Sequence, residues 1–453
     1  MMIPDKAMRV MTLLENAGAR DVLIVGGFVR DFVMNIPSKD VDIEVYGMGI
    51  DTIIDTLLPH FTLDVVGKSF GVIKIDNEID VSVPRRESRI GTGHRDFKIE
   101  PDTNMSIKDA AARRDFTINS LAMRRDKGII DLFNGMRDID LRVLKATSNA
   151  FAEDALRVLR GMQFAGRFKS FLTKETIAAC KQMSVDFTAL AKERVWEEWK
   201  KFATKGKSAF HGFLVLTETN WINHFPELAN MIGVPQDPEW HPEGEVWTHT
   251  VMVVQEAIDI AEREQLDDNS RMILFFAALC HDLGKPQTTK MEGGRWRAKG
   301  HCEQGADLTA SFLNRIGAPL WLIQQVKPLV VEHLIHASGM PTDRAVRRLA
   351  RRLHPSNINK LSMLIEADHN GRTPLPKGNP FTAWTDAAKR LNLTAIQPMP
   401  ILRGRDLISL GVKPGPEMGI ILDKAFEAQL DGTFDCIEGA ILWYHFKMRQ
   451  NNV

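Results

Sequence analysis

Two aspartates, Asp40 and Asp42, lie one residue apart in KDVDIEV, where charged and apolar residues alternate. Side chains two positions apart on a β-strand share a face, so both carboxylates can hold the same hard cations. Magnesium (Mg²⁺) is expected because it prefers carboxylate and phosphate oxygens. Asp80 in EIDVSVPRR would supply a third carboxylate from a neighbouring strand, although an exposed strand residue explains it equally well.

The pair Gly26 and Gly27 precedes the aspartates, where a short apolar stretch gives way to a helical pattern in LIVGGFVRDFV. Backbone N–H groups at such a turn approach a phosphate closely and present the positive end of the helix dipole. The forked donors of Arg30, and of Arg114 in RRDFTINSL, suit phosphate oxygens. Asp31 belongs to the same candidate nucleotide site, with a structural ion pair as the alternative. Together these residues favour a metal and phosphate site over a solvated strand face.

An α/β unit is needed to position these residues. Helical spacing of apolar residues predicts a helix over 6–17 and another in FVRDFVMN. Alternation or apolar runs predict strands in DVLIVGG, KDVDIEVYG, GVIKIDN and EIDVSVPRRE. Beyond residue 153 the pattern is almost wholly helical, and Pro/Gly-rich breaks at 225–244 and 371–384 indicate domain boundaries.

Composition excludes several classes of protein. The 453 residues, 44% hydrophobic and 26% charged, predict several globular domains. Lys plus Arg equal Asp plus Glu at 58 each, so a polyanion partner must be held by local basic patches. The cysteines form no C-x-x-C pair, which indicates a reducing compartment and a cytoplasmic location. No signal-peptide core is found and no apolar run approaches the ~18 residues of a membrane span.

The motifs GGFVRD, KDVDIEV, RRDFTINSLAM, DLFNGMRDID and EDALRVLRGMQFAGRF follow one another over residues 23–168. In order and spacing they resemble the bacterial class II tRNA nucleotidyltransferase family, which includes CCA-adding enzymes and poly(A) polymerases. The resemblance resumes in GRDLISLGVKPGPEMGIILDKAFEAQLDG. It implies an α+β fold, with a polymerase-β-like nucleotidyltransferase head followed by all-α neck, HD and tail domains.

Four domains are expected from the resemblance and the breaks. These are a catalytic head over 1–146, a neck for nucleobase selection and RNA binding over 147–240, an HD domain over 241–372, and an RNA-binding tail over 373–453.

The reaction implied is untemplated addition of C, C and A to the tRNA 3′ end from CTP and ATP. The RNA 3′-hydroxyl attacks the α-phosphate, one metal activates the nucleophile, and another neutralises the departing pyrophosphate. The resemblance implies that Gly27 and Arg30 contact the triphosphate and that Arg114 and Arg160 contact the nucleotide.

Base selection is assigned by the resemblance to Asp154 and Arg157. Three positions apart on a helix beginning at Glu153, they would project from one face, and together they can accept from and donate to a base edge. Glu153, four residues before Arg157, would hold the guanidinium in place. An amphipathic helix with ordinary ion pairs is the alternative. Gln163 stands where many relatives have arginine, which leaves a phosphate or RNA contact there open.

A second constellation is H…HD…D on successive apolar helices, supplied by His249, His281, Asp282 and Asp368. It resembles the HD metal-dependent phosphohydrolase superfamily, in which these four residues ligate a divalent metal. His301, with His333 or His336, would complete a second metal site. Imidazole with carboxylate suits a transition metal such as nickel (Ni²⁺), manganese (Mn²⁺) or iron (Fe²⁺). The resemblance implies phosphatase and 2′,3′-cyclic phosphodiesterase activity on RNA ends, with a vestigial docking domain as the alternative.

Two other functions stay open from the sequence. One is a restricted enzyme, CC-adding, A-adding or poly(A) polymerase, and the other is an HD phosphohydrolase with a non-catalytic RNA-binding N-terminal domain. The expected partners are tRNA, CTP and ATP, without a membrane, and either a monomer or a homodimer. RNA contacts are sought in the basic stretch 85–97, which resembles a loop beside the family's active site, and in the arginine-rich RAVRRLARRLH.

Overall fold

A computed structural model describes residues 2–38, 40–65, 71–76, 78–89, 97–374 and 376–448. The chain divides into two compact units, residues 1–224 and 225–453, and each is treated by itself below. The division falls inside the predicted neck at 147–240, and the finer separation into four domains stays a prediction.

The described strands of the first unit form one mixed main sheet and two separate strand pairs. They are β1 (Asp21–Val25), β2 (Val41–Tyr46), β3 (Leu63–Asp64), β4 (Val72–Ile75), β5 (Ile79–Ser82), β6 (Arg85–Arg89), β7 (Phe97–Pro101), β8 (Ala122–Met123), β9 (Ile129–Ile130), β10 (Val143–Leu144) and β11 (Phe171–Leu172). Among the described residues the main sheet has the order β3-β4-β5-β2-β1-β8-β9. In it, β2 is antiparallel to β1 and parallel to β5, whereas β6 with β7 and β10 with β11 form separate pairs.

Strand β1 is buried on both faces. Val22 and Ile24 belong to the large core of the unit, and Leu23 and Val25 belong to a smaller core on the other face. A strand covered on both sides reads as a continuous apolar run, which explains why the sequence does not alternate there. The alternation predicted for β2 is confirmed from Val41 to Val45: Val41, Ile43 and Val45 enter the large core, whereas Tyr46 enters the smaller core.

The helices of the first unit flank the sheet and continue beyond it. They are α1 (Asp5–Asn16), α2 (Gly27–Val33), α3 (Ile50–Leu57), α4 (Ile107–Ala112), α5 (Gly135–Asp140), α6 (Leu156–Phe168), α7 (Lys174–Gln182), α8 (Lys192–Lys205) and α9 (Ala209–Glu218). The long helix α6 packs against both α8 and α9. Its length and its ten buried positions make it a rigid wall for the site described below.

Among its described residues, the second unit is helical apart from one hairpin and the connecting loops. Its helices are α10 (Pro226–Ala229), α11 (Val246–Arg263), α12 (Asp268–Cys280), α13 (Lys285–Thr288), α14 (His301–Arg315), α15 (Leu320–Glu332), α16 (Asp343–Arg352), α17 (Ile358–Asn370), α18 (Thr382–Arg390), α19 (Gly404–Ser409), α20 (Pro416–Leu430) and α21 (Ile437–Trp443). Strands β12 (Thr289–Glu292) and β13 (Arg295–Ala298) form the antiparallel hairpin. The last three helices enclose a small core of their own, around Leu407 and Ile421.

Membrane insertion was not expected from the sequence. Across the part of the chain that the structure describes, every helix is too short or too polar to cross a bilayer.

Candidate functional site

One cavity of about 990 Å³ lies in the first unit, between the Gly-Gly turn, the sheet and α6. With the exception of Glu153, every residue predicted for nucleotide binding or catalysis lines it: Gly26, Gly27, Arg30, Asp31, Asp40, Asp42, Asp80, Arg114, Asp154, Arg157 and Arg160. Residues spread over more than a hundred positions are therefore brought to one place.

The aspartates lie where β2 and β5 run side by side. Asp40 directly precedes β2, and Asp42 within it is the register partner of Asp80 on β5. Burial raises the pKa of Asp42, and the charges of Asp80 and Asp40 add to the rise against the opposing charge of Arg114. This excess of negative charge fits a divalent cation, and two carboxylates are what Mg²⁺ ordinarily takes from protein when phosphates supply its other ligands.

Asp80 is placed differently from the other two carboxylates. Its Oδ1 accepts from Lys74 Nζ at 2.8 Å, so it already has a partner on β4. Among the described residues, Asp40, Asp42 and Asp80 do not form a group whose ligand atoms all lie within 4.8 Å of one another. Asp40 and Asp42 stay the predicted metal ligands, and Asp80 is held by Lys74.

Gly26 makes room for an arginine. Its φ is +72°, and a Cβ there would lie 2.5 Å from Arg114 Nη1 and 3.8 Å from Asp42 Oδ2. The guanidinium of Arg114 thus lies over the turn and beside the carboxylate of Asp42. Only glycine combines this backbone conformation with so close an approach.

Arg30 is part of a buried network. Its Nε and Nη2 donate to Asp31 Oδ1 at 2.8 and 2.7 Å, and its Nη1 donates to Asn119 Oδ1 at 2.6 Å. Three of five N–H groups are thereby used, which leaves two for a ligand in the cavity. Asp31 also lies 3.4 Å from Arg167 Nη2. The structural ion pair considered for Asp31 is present.

Asp115 extends this network towards Arg160. One oxygen accepts from Asn119 Nδ2 at 2.8 Å and the other from Arg160 Nε at 2.6 Å. Burial would raise the pKa of Asp115, but the charge of Arg160 and these hydrogen bonds lower it. The i to i+4 spacing of Asp115 and Asn119 in RDFTIN was the available sequence signal for this arrangement.

The predicted start of α6 is wrong by three residues. The helix begins at Leu156, not Glu153, so Asp154 lies outside it. Asp154 Oδ1 accepts from the Leu156 backbone N–H at 3.1 Å, and this local hydrogen bond competes with continuation of the helix. Its Oδ2 accepts from Arg194 Nη2 at 2.7 Å. Asp154 and Arg157 nevertheless face the same cavity.

Glu153 does not hold Arg157 in the manner predicted. It lies 3.3 Å from Arg113 Nη2. The guanidinium of Arg157 instead donates to the carbonyl oxygens of Ala150 and Arg113, at 2.5 and 2.7 Å. Because Glu153 precedes the helix, the i to i+4 spacing that motivated the prediction does not apply.

The family resemblance predicts an arginine at the position of Gln163. Gln163 is buried and lines the same cavity. A neutral amide therefore stands among the arginines of that wall.

In the second unit the four predicted HD ligands converge. His249 comes from α11, His281 and Asp282 directly follow α12, and Asp368 lies on α17. His249 Nε2 lies 3.1 Å from Asp368 Oδ1 and 3.3 Å from His281 Nε2, and His281 Nε2 lies 3.1 Å from Asp282 Oδ2. Donor atoms spaced in this way are suited to surrounding one metal ion.

Contacts at Nδ1 orient the rings of His249 and His281 so that their Nε2 atoms face the other predicted ligands. His281 Nδ1 lies 2.7 Å from the Ala278 carbonyl, and His249 Nδ1 lies 2.7 Å from Glu243 Oε1. Anchoring one ring nitrogen so that the other meets the metal is typical of metal-binding histidines. Glu243 was missed from the sequence because it lies in a loop six residues before His249.

Asp282 provides a test of whether a cation fits. It is 1% exposed, and Lys285 Nζ and His281 Nε2 lie 2.7 and 3.1 Å from Oδ2, whereas Oδ1 has no hydrogen bond from the described residues. Leaving a buried carboxylate oxygen without a hydrogen bond is costly, and a bound cation would remove that cost. Burial opposes a charged His249, but hydrogen bonds to Asp368 and Glu243 outweigh it and raise the pKa of His249 to about 9. The site therefore concentrates negative charge.

The histidines predicted for a second metal lie on the other side of Asp282. His301 Nε2 is 3.4 Å from Asp282 Oδ1 and 3.4 Å from His333 Nε2. His336 instead approaches the His333 carbonyl through Nδ1, at 3.2 Å. All three histidines line a cavity of about 570 Å³, together with Cys302, which sequence reasoning did not select.

The sequence predicts RNA contacts in two basic stretches, α16 and residues 85–97. Arg344, Arg348 and Arg351 of α16 form ion pairs with Glu427 and Asp431 at the end of α20. This pairing favours a structural helix contact over an open phosphate track. In the basic stretch 85–97, residues 90–96 lie outside the described residues.

Comparison with known proteins finds both of the expected domains. The family profile described as Poly A polymerase head domain matches residues 22–145, and the HD domain profile matches residues 246–367. A Multifunctional CCA protein from Hahella chejuensis (strain KCTC 2396) is 32% identical over 365 residues, which cover 77% of this chain and 82% of that protein.

Solved structures share the fold. A Bacillus stearothermophilus CCA-adding enzyme in complex with CTP has a TM-score of 0.64 at 19% identity, covering 100% of both chains. A Thermotoga maritima CCA-adding enzyme complexed with tRNA has a TM-score of 0.57 at 18% identity, covering 97% of this chain and 94% of that one.

Fold and site together define a nucleotidyltransferase whose α/β head is followed by an HD domain. The expected α+β fold is confirmed. At the level of identity found, the chain belongs to the multifunctional CCA protein family.

Proposed function

We propose that this enzyme adds C, C and A to the 3′ end of tRNA from CTP and ATP, without a nucleic-acid template. The observation that carries the proposal is the single cavity that joins the Asp40 and Asp42 carboxylates to Arg114 and to the pair Asp154 and Arg157. Template-independent nucleotide addition requires three kinds of group in one cavity. These are carboxylates that bind metal, cations that bind phosphate, and side chains that read the base.

At the catalytic end, Asp40 and Asp42 would hold Mg²⁺, and Asp80 is the register partner of Asp42. Two such ions, when bound, activate the RNA 3′-hydroxyl and neutralise the pyrophosphate released from the α-phosphate. Gly26 and Gly27 leave the backbone open to the triphosphate. Arg114 places a fixed positive charge over the turn, and Arg30 has two N–H groups left for phosphate oxygens.

At the base-reading end, Asp154 accepts from an exocyclic amine while Arg157 donates to the ring. Both are held by neighbouring protein groups, Asp154 by Arg194 and Arg157 by two backbone carbonyls. Arg160, fixed by Asp115, adds a further nucleotide contact. Rigid placement lets protein side chains act in place of a complementary base.

For the HD domain we propose metal-dependent phosphatase and 2′,3′-cyclic phosphodiesterase activity on RNA ends. His249, His281, Asp282 and Asp368 would hold a divalent transition metal such as Ni²⁺, Mn²⁺ or Fe²⁺, which when bound supplies an activated water. Arg372 lines the cavity of about 570 Å³ together with Asp282 and Asp368 and adds positive charge for a phosphate. Opening a terminal cyclic phosphate and removing the resulting monoester restores the 3′-hydroxyl that addition needs.

The proposal also includes the location of the enzyme, the bounds of its domains and its oligomeric state. The chain acts in the cytoplasm on tRNA, and its head, neck, HD and tail domains extend over 1–146, 147–240, 241–372 and 373–453. A monomer and a homodimer are both compatible with a site formed within one chain.

The experiment that separates the two activities is replacement of both Asp40 and Asp42 by alanine in the full chain. Nucleotide addition should be abolished, while hydrolysis of a 2′,3′-cyclic phosphate on RNA should continue at the wild-type rate. Full addition by the double variant would refute the head assignment. Absence of cyclic phosphate hydrolysis in the wild type with each of Ni²⁺, Mn²⁺ and Fe²⁺ would refute the HD assignment.

A further inference from the structure

Two tryptophans line the cavity of about 570 Å³ that also contains Asp282 and Asp368. Trp240 lies in a turn before α11 and is 56% exposed, and Trp296 lies half-buried on β13. An indole as exposed as that of Trp240 covers little of the core, so packing does not account for its position. The cavity therefore has aromatic side chains that the proposed metal site does not use.

One arginine joins the two segments that carry these tryptophans. Arg295, the neighbour of Trp296 on β13, donates from Nε to Asp237 Oδ2 at 2.6 Å. Its Nη2 donates to Glu239 Oε2 at 2.5 Å. The Asp237 carbonyl accepts from the Trp240 backbone N–H at 3.1 Å, which closes the turn. The turn and the hairpin are thus held together, and both indoles are placed at the cavity before a ligand arrives.

Cations line the same cavity: Arg297, Lys299 and Arg372. Arg372 follows α17, where its Nε donates to the His369 carbonyl at 3.3 Å, next to Asp368. Guanidinium groups suit phosphate oxygens, and tryptophan rings suit the flat face of a nucleobase. The volume falls within the roughly 300–1,000 Å³ of small-molecule sites. A ligand that uses both features of the cavity is a nucleotide.

A phosphoester without a base is the competing substrate. It would use the cations and the predicted metal ligands, but it would leave the indole of Trp240 in water. A stacked base removes apolar surface of this indole from water and adds a ring–ring contact. Every base has a π-face, so such a contact is independent of the base.

We propose that Trp240 and Trp296 form a nucleobase subsite of the HD cavity. The terminal base of an RNA 2′,3′-cyclic phosphate stacks there, while its phosphate lies towards Arg372. The inference rests on the proposed activity of the HD domain and adds what selects its substrate, which is the terminal nucleoside. Because stacking reads no base edge, RNA ends in A, C, G or U are accepted alike.

The test compares hydrolysis of 2′,3′-cyclic CMP with that of glycerol 1,2-cyclic phosphate, which has the same five-membered ring and no base. Full-length protein is assayed with whichever of Ni²⁺, Mn²⁺ and Fe²⁺ gives the highest rate. Trp240→Leu should lower kcat/KM for cyclic CMP roughly 5–150-fold, the equivalent of one lost base stack. Hydrolysis of the base-free ester should be unchanged. Trp240→Tyr, which keeps a flat ring, should retain most of the preference.

Trp321→Leu is the matched control, because Trp321 on α15 is 39% exposed and is not among the described residues that line the cavity. It should behave as the wild type on both substrates. Equal losses on both substrates in Trp240→Leu, or no loss on either, overturn the base subsite while leaving the hydrolytic activity standing. Absence of hydrolysis by the wild type overturns that activity instead.

Equilibrium dialysis of labelled 2′,3′-cyclic CMP against metal-free protein tests the subsite independently of hydrolysis. Binding at the head is common to all variants and cancels in the comparison. Trp240→Leu should bind less of the nucleotide at a fixed concentration than the wild type or Trp321→Leu. Equal binding by all three proteins overturns the inference.

Discussion

Asp42 and Asp80 are register partners on the parallel strands β2 and β5, and the charge of Asp80 helps to raise the pKa of Asp42. Asp80 is also paired with Lys74, whereas Asp42 lies beside Arg114 and Asp40 at the cavity. Burial and the neighbouring carboxylates therefore disfavour an unpaired charge on Asp42, and a bound cation would remove that cost.

Asp42→Asn should reduce nucleotide addition by roughly 10²–10³-fold, the scale found on removing one electrostatic stabiliser of a transition state. Without metal, the variant should be at least as stable as the wild type at neutral pH. A carboxyl whose pKa is raised on folding stabilises the fold below its unfolded pKa and loses that contribution as the pH rises through the folded value. Addition assays and denaturant unfolding measure the two effects. Asp55→Asn, at an exposed position on α3, should change neither.

Gly26→Ala should destabilise the head by about 1–2 kcal/mol and weaken CTP binding. The cause is the left-handed backbone at Gly26 together with the 2.5 Å approach of Arg114 Nη1 to the position of a Cβ. The matched control is Gly49→Ala, outside the cavity, where φ is −75° and an added Cβ meets nothing within 4 Å. Unfolding and CTP titration compare the two variants. Equal effects of both would contradict the account of the turn.

Asp154→Ala should relax the choice between CTP and ATP more than it slows addition as a whole. A lost base-edge contact is worth about 1–3 kcal/mol of discrimination. Glu153→Ala is the control, because this neighbouring carboxylate pairs with Arg113 and does not line the cavity. Ratios of kcat/KM for the two nucleotides provide the measurement. Unchanged ratios in Asp154→Ala would exclude this residue from base selection.

Glu243→Gln should weaken transition-metal binding by the HD site about 10–100-fold, the usual effect of losing a partner of a metal-binding histidine. The Glu243 side chain is fully buried and holds His249 Nδ1 at 2.7 Å, and hydrogen bonds from His241 and His249 overcome burial to lower its pKa to about 2. Competition against a chelator gives the affinity. Glu239→Gln, at an exposed carboxylate paired with Arg295, should bind metal as the wild type does.

Local patterns in the sequence predicted much of this site. The alternation in KDVDIEV placed β2, and the Gly-Gly pair marked the turn into α2, because both signals depend on neighbouring residues alone. The HD ligands could be chosen because a histidine or an adjacent His-Asp pair is conspicuous on an apolar helix. Each of these patterns reports on a single element.

Contacts between distant segments could not be predicted in the same way. Glu153 was matched with Arg157 by helical spacing, but the helix starts later and Glu153 pairs with Arg113, forty residues away in sequence. In the sequence, Cys302 was compared only with the other cysteines, in a search for C-x-x-C pairs. In the structure its neighbours are His301 and His333. Loop geometry and long-range packing determine these partners, and periodicity carries no information about either.

Incubation of purified enzyme with tRNAs lacking one, two or three terminal nucleotides, with CTP, ATP or both, followed by sequencing of the ends, tests the central claim most directly. The account predicts two C residues and one A on the tRNA that lacks all three, with A added only after both C residues. Failure to add C to that tRNA, or a run of A residues in its place, would contradict CCA addition and favour an A-adding enzyme or a poly(A) polymerase.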